Sequence, residues 1–264
     1  MSNPEAHCEK SMALLEATHL TKHFGGLAAV NRVDITVEEG EIVGLIGPNG
    51  AGKTTCFNLL SGFLPPTAGT IIFNGEDITG LKPHQIVARG LVRTFQLTTL
   101  FQDMTVLENV LLGLHLACRR GLGQVLWHRH AFPPDEITRS HEVLEFTGLA
   151  SHAEQLAKNL PHGHQRTLGI AMALAARPRL LMLDEPVTGM NFEESQRIMG
   201  LVQTIRDQGT TILLVEHNMR AVMSTCERIV VLSFGQKLAE GTAAEVSTNR
   251  DVIAAYLGTG GAHA

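Results

Sequence analysis

The 264-residue chain has no apolar run near the roughly 18 residues that a membrane-spanning helix needs, so we expect none of it to cross a bilayer. Its first residues, MSNPEAHCEK, contain neither the basic segment nor the apolar one that directs export, and export is not expected. No charge of one sign dominates. Lys and Arg number 21 against 26 Asp and Glu, for a net charge of −5, which lacks the basic surplus of a nucleic-acid binder. The four cysteines, Cys8, Cys56, Cys118 and Cys226, are scattered without metal-ligand spacing and read as reduced cytosolic thiols. No internal repeat or low-complexity tract is present.

What remains is an ordinary globular balance, 44% hydrophobic and 18% charged, with enough length for one large domain or a domain with subdomains. Short apolar stretches at 41–46, 70–74, 179–183, 210–215 and 228–233 read as strands. Helical periodicity falls at 53–62, 83–90, 105–118, 135–147, 164–176, 192–207 and 218–226. Strands alternating with helices predict parallel βαβ units and an α/β fold. Residues from about 97 to 159 break the alternation and read as an inserted helical subdomain with a connector, RRGLGQVLWHRHAFPP. Residues 13–40 and 70–75 read as a small antiparallel β layer. Residues 1–12 form a flexible extension, 13–258 a single domain (core 13–96 and 160–258), and 259–264 a tail.

The stretch EIVGLIGPNGAGKTT, 41 to 55, is the most informative. An apolar strand runs into Gly47-Pro48-Asn49-Gly50-Ala51-Gly52-Lys53-Thr54, which fits G-x-x-x-x-G-K-[ST], and a helix pattern follows. Glycine lets the backbone curl so that successive N–H groups point at phosphate oxygens. The helix beginning near Lys53 adds the positive end of its dipole. Lys53 can reach the β- and γ-phosphates, and the Thr54 hydroxyl can ligate Mg²⁺. The bland alternative is a glycine turn between a strand and a helix.

Leu180 to Leu183 form a continuous apolar run, as in a parallel strand buried on both faces, and Asp184 and Glu185 end it. Ligands bind at the C-terminal edge of such sheets, so the pair and the glycine loop are expected to meet there. Asp184 can hold Mg²⁺ through water, and Glu185 can orient or deprotonate an attacking water. TTILLVEHNM brings Glu216 and His217 to the same edge, where His217 is either a γ-phosphate contact or a packed histidine. LVRTFQ ends on Gln96, a contact to Mg²⁺ or water if it is more than a surface glutamine. Phe24 in KHFGG is either an adenine-stacking ring or a core residue.

In this order the set resembles the ATP-binding subunits of ABC transporters, over about residues 13–258. The resemblance implies an α/β P-loop ATPase with a mixed core sheet. Phe24 and Gly47, Pro48, Asn49, Gly50, Ala51, Gly52, Lys53, Thr54 and Thr55 would contact ATP. Thr54, Gln96 and Asp184 would hold Mg²⁺, and Glu185, His217 and Gln96 would act in hydrolysis. LPHGHQ at 160–165 takes the signature position, so Gly163, His164 and Gln165 would touch the ATP of a second, head-to-tail subunit. TGMN at 188–191 takes the D-loop. Pro161 stands where a serine is usual, and it has neither a hydroxyl nor a backbone N–H to offer.

KHFGGLAAVN, TGMN, ILLVEHNM and EGTAAEVSTNRDVIAAYLG look most like the ATP-binding subunit of branched-chain amino acid importers. ATPases for urea and short amides share that look, as does, more distantly, a lipopolysaccharide exporter. The implied partners are transmembrane permease subunits, a second ATP-binding subunit in a homo- or heterodimer and, indirectly, a periplasmic or extracellular substrate-binding protein. The implied location is cytoplasmic, peripheral on the inner face of the cell membrane. A non-transport ATP-dependent clamp is disfavoured because a long coiled coil or a second cassette has no room here. A GTPase is disfavoured because Asn249-Arg250-Asp251 lacks the N-K-x-D spacing. The histidines of PHGH and of WHRH at 127–130 show no third ligand for a metal.

Overall fold

An early alternation of apolar and polar residues builds the first layer. The computed structural model describes residues 13–94, 100–117 and 132–257. β1 (Leu15–Phe24) turns at Gly25-Gly26 into β2 (Leu27–Val37). With β4 (Ala68–Phe73) and β5 (Glu76–Asp77) they form an antiparallel sheet in the order β2–β1–β4–β5. The expected small β layer is therefore present.

The second sheet joins β3 (Ile42–Ile46), β6 (Leu91–Arg93), β7 (Leu180–Asp184), β8 (Thr211–Val215), β9 (Arg228–Ser233) and β10 (Gln236–Gly241), in the order β10–β9–β3–β8–β7–β6. Every pairing is parallel except that of β9 with β10. The five parallel strands therefore deliver their C-terminal ends to one edge. β10 was not expected from the sequence. It is an edge strand, QKLAEG, with no buried residue, so it shows no apolar alternation to read.

Successive residues of the parallel strands serve two different cores. Val43, Leu45, Leu180, Met182, Leu213 and Val215 pack toward the antiparallel sheet and α1 (Lys53–Leu60). Ile42, Ile46, Leu181, Leu183, Ile212 and Leu214 pack on the other side. A third apolar cluster gathers Val106, Val110 and Leu144 with Leu168, Ala171 and Ala175. It joins α3 (Val106–Ala117) and α4 (Pro134–Phe146) to α5 (His162–Ala175). Ile170 and Ala173 on the same α5 reach the second cluster, so this helix bridges two cores.

The short α2 (Pro83–Val87) precedes β6 and stops three residues before the expected end at 90. α5 begins at His162, two residues before the expected start. Pro161 occupies the N-cap with φ −55°, and its missing N–H leaves nothing unsatisfied at a helix start. α6 (Phe192–Asp207) has the expected bounds, set by a reciprocal cap between Asn191 and Glu194. α7 (Met219–Thr225), α8 (Ala243–Thr248) and α9 (Arg250–Leu257) complete the described chain. No helix of the described residues is long and apolar enough to cross a membrane. WHRH at 127–130 lies outside the described residues.

Candidate functional site

The glycine loop leaves β3 and enters α1 under tight steric control. A Cβ at Gly47, where φ is +152°, would lie 2.2 Å from the Leu232 carbonyl oxygen. At Gly52, where φ is +99°, it would lie 2.5 Å from the Ala29 oxygen. Both positions therefore admit only glycine. The tip of the β9–β10 hairpin braces the loop: Gly235 N–H donates to the Ala51 carbonyl at 3.0 Å, and the Gly235 carbonyl accepts from Asn31 at 2.7 Å. Pro48, Asn49 and Gly50 make the outward turn between these two fixed points, and the Ala51 methyl is buried.

Lys53 is buried and folds back over the loop. Its Nζ donates to the carbonyls of Gly47 at 2.7 Å and Pro48 at 3.0 Å. Burial lowers its pKa below the ordinary lysine value, while the charge of Glu185 opposes that shift. Glu185 thus lies close enough to be felt at the loop. The Thr54 side chain is exposed and that of Thr55 is half-buried.

The ends of β7 and β8 hold the acidic residues and the histidine together. Glu185 is buried and takes the left-handed region at φ 49°, a strained setting for a non-glycine residue. Its backbone N–H pairs with the Val215 carbonyl at 2.9 Å, which locks the turn to β8. One carboxylate oxygen accepts from the Thr188 hydroxyl at 3.1 Å, and the other is in hydrogen-bond contact with His217 Nε2. Glu216 points inward and is buried, accepting from the N–H groups of Val187 at 2.8 Å and His217 at 3.0 Å. Burial raises its pKa, against the pull of those backbone N–H groups. His217 is therefore the residue of this pair that faces the site, and Glu216 is its anchor.

The first turn of α5 presents a different surface. Gly163 lies within the helix rather than ahead of it, beside Glu194 of α6, whose Oε1 would stand 3.6 Å from a Cβ there. The side chains of His164 and Gln165 turn into the chain. His164 packs against the His152 ring at 4.9 Å, and its Nδ1 is buried without a hydrogen-bond partner. Burial, then the charges of His152 and Arg197, lower its pKa. Gln165 Nε2 donates to the Leu160 carbonyl at 3.0 Å. The first intrahelical bond runs from Gln165 N–H to the Pro161 carbonyl, so the N–H groups of His162, Gly163 and His164 are left to point outward.

Phe24 ends β1 half-exposed, with Lys22 Nζ 5.4 Å from its ring centre, so it is not a core residue. It stands at the turn into β2, the strand whose Ala29 packs against Gly52. Gln96 lies outside the described residues.

Two contacts were missed from the sequence. Arg93, the last residue of β6, donates to Asp184 Oδ2 at 2.6 Å, to Asn58 Oδ1 at 2.7 Å and to Ser61 Oγ at 2.9 Å. The signal available was a charged residue closing a strand immediately before TFQ. Tyr256 in α9 takes a hydrogen bond from the Gly47 backbone N–H, and burial raises its pKa against that bond. Nothing in a tail helix marks such a contact. Among the described residues, no group of three His, Cys, Asp or Glu side chains could hold a metal ion. Asp184 and Thr54 offer hard oxygen donors, which suit Mg²⁺ completed by phosphate oxygens and water rather than an all-protein cage.

Comparison with known proteins shows the family. A family model described as "ABC transporter" matches residues 30–188, and one described as "Branched-chain amino acid ATP-binding cassette transporter" matches residues 236–262. The chain is 46% identical over 252 residues to the high-affinity branched-chain amino acid transport ATP-binding protein LivG of Salmonella typhimurium, covering 94% of this chain and 99% of the relative. Against the lipopolysaccharide export system ATP-binding protein LptB of Escherichia coli, identity is 34%, covering 94% and 98%. Among solved structures, an ATP-binding cassette of an ABC transporter in its ADP conformation superimposes with a TM-score of 0.84 at 30% identity, covering 94% and 99% of the two chains. A dimeric bacterial ABC transporter cassette gives 0.73 at 26% identity, covering 87% and 98%.

Proposed function

The chain belongs to the ABC transporter family of ATP-binding subunits and is an ATPase, and we propose that it powers import of branched-chain or related hydrophobic amino acids. The observation that carries the ATPase chemistry is the convergence of Lys53, Glu185 and His217 at one sheet edge. The substrate class is supported by the 46% identity to LivG, above the 34% to LptB, and by the second family match over the tail.

In this reading the loop 47–55 cradles the β- and γ-phosphates with its backbone N–H groups, and Lys53 exchanges its bonds to the Gly47 and Pro48 carbonyls for phosphate oxygens. Phe24 stacks on the adenine. Thr54 and Asp184, with Gln96, hold Mg²⁺, which when bound neutralises charge building on the phosphates. Glu185 orients the attacking water and takes its proton, and His217 steadies the carboxylate and contacts the γ-phosphate. Thr188, at the start of TGMN, donates to the same carboxylate and ties the D-loop to the water-positioning group.

The second half of the site comes from a partner subunit placed head to tail. The outward N–H groups at 162–164 and the positive end of α5 cap the partner's γ-phosphate. Because the side chains of His164 and Gln165 are engaged within the chain, the backbone makes this contact. Pro161 then removes little, since the work rests on N–H groups after it.

We further read 13–258 as one ATPase domain with a helical subdomain at 97–159, supported by the separate apolar cluster of α3 and α4. Permease subunits dock near Gln96 and that subdomain. A substrate-binding protein acts indirectly, and the chain sits on the inner face of the membrane.

The decisive experiment is Glu185→Gln. ATP affinity should stay within about twofold, and hydrolysis should fall by about 10²–10⁴. A nucleotide-bound dimer should accumulate on size exclusion. Unchanged turnover would remove Glu185 from this role.

A further inference from the structure

Arg93 is a buried charge at the foot of the catalytic edge, with its side chain only 6% exposed and that of Asp184 9%. A buried guanidinium is costly unless its donors are used. Here Nη2 goes to Asp184 and Nη1 to Asn58 and Ser61, while the rings of Phe57 and Phe63 lie 5.5 and 5.7 Å from the guanidinium. The planar fork is thus pinned by aromatic rings and by two anchors on α1 and the turn after it. A pinned fork sets the rotation of any carboxylate that it grips.

The three elements that meet at this guanidinium are the ones that build the nucleotide site. Asn58 lies on the helix that starts with Lys53, Asp184 ends β7, and Arg93 ends β6 on the way to Gln96. Thr94 N–H donates to the Met182 carbonyl at 2.9 Å, so the pairing of β6 with β7 extends one residue past Arg93.

We propose that Arg93 is a positioning residue for the metal site: it fixes the Asp184 carboxylate relative to α1. The proposal rests on the reading of Asp184 as a ligand of the Mg²⁺ that accompanies ATP. A carboxylate held at Oδ2 by a fixed donor keeps one rotation about Cβ–Cγ. Without that donor, Asp184 samples others, and metal retention falls while phosphate binding by the loop persists. Lysine supplies the charge without the fork, so Arg93→Lys is intermediate.

The test uses the full chain and Mn²⁺ as the probe. Mn²⁺ is titrated into ATP-loaded protein by electron paramagnetic resonance, with ATP affinity measured separately in EDTA. Arg93→Gln should weaken Mn²⁺ retention about tenfold and raise the Mg²⁺ needed for half-maximal hydrolysis by the same factor. Metal-free ATP affinity should stay within twofold. Asp184→Asn should weaken Mn²⁺ retention by itself, and the double variant should be no worse than Asp184→Asn, because Arg93 acts through Asp184. If Arg93→Gln does not fold, Arg93→Lys carries the titration with a threefold expectation. Wild-type Mn²⁺ retention in the folded variant, or an additive double variant, overturns the proposal. If Asp184→Asn leaves Mn²⁺ retention unchanged, the metal-ligand reading of Asp184 fails and the proposal falls with it. That result is distinct from a failure at Arg93 alone.

Discussion

The two helix N-termini that the proposed function assigns to phosphate are held in opposite ways. At the start of α1, Gly235, Tyr256 and Lys53 all bond to the glycine loop, and Leu232 and Ala29 wall it in. At the start of α5, the exposed Pro161 and His162 lead a turn whose N–H groups point outward, and the nearest side chain to Gly163 is that of Glu194 on α6. The loop at α1 is shaped by contacts from β2, the β9–β10 hairpin and the tail. The turn at α5 is shaped mainly by its proline and by the two cores that α5 bridges. A site that must grip phosphate alone needs its donors fixed in advance. A surface completed by another subunit needs its donors exposed.

Breaking the first of these should have the largest effect. Lys53→Ala should reduce ATP affinity and turnover by about 10²–10³, the scale of losing one preorganised donor to developing charge. Fluorescent-nucleotide binding and phosphate release would measure it. If Lys53 served only to brace the carbonyls of Gly47 and Pro48, the loss would appear in the melting temperature and not in affinity.

The tail contact should matter less. Tyr256→Phe leaves the Gly47 N–H without its acceptor, at about 1 kcal/mol, or a fall of about 2–4 °C in melting temperature for a chain of this size. ATP affinity should weaken by no more than about fivefold. Calorimetry with and without nucleotide would separate the two, and an unchanged melting temperature would mean that the tail does not brace the loop.

Pro161→Ser should have the smallest effect. A serine N-cap contributes about 1 kcal/mol to helix stability, and losing the proline gives back about 0.4–1 kcal/mol through the unfolded chain. Turnover of the assembled complex should therefore change by less than about threefold, and ATP binding by the isolated chain should not change. A tenfold rise in turnover would show that a hydroxyl adds to the cap, and that the backbone N–H groups do not suffice.

Much of the site was legible because its determinants are local. Glycines at 47, 50 and 52 followed by Lys-Thr state a strand, a loop and a helix within fifteen residues. Asp184 and Glu185 were readable for the same reason, at the end of a run whose alternate residues face two cores. α5 starts two residues ahead of the helical periodicity, because the exposed His162 and the glycine after it carry no apolar side chain to mark the first turn. The roles of Glu216 and His217 were separable only once their hydrogen bonds showed which one turns inward. The inward turn of His164 depends on the His152 ring, which belongs to another element.

By itself, the sequence determined the class of fold, the phosphate loop and the order of the elements, because backbone conformation and burial periodicity are set by near neighbours. Only the tertiary structure decided which charges meet. Arg93 and Asp184 are 91 residues apart, and they touch because β6 and β7 pair in parallel, with Arg93 opposite Met182. Tyr256 reaches Gly47 because α9 packs against the second core through the buried Val252. Such contacts follow from strand order and helix docking, which no local pattern encodes.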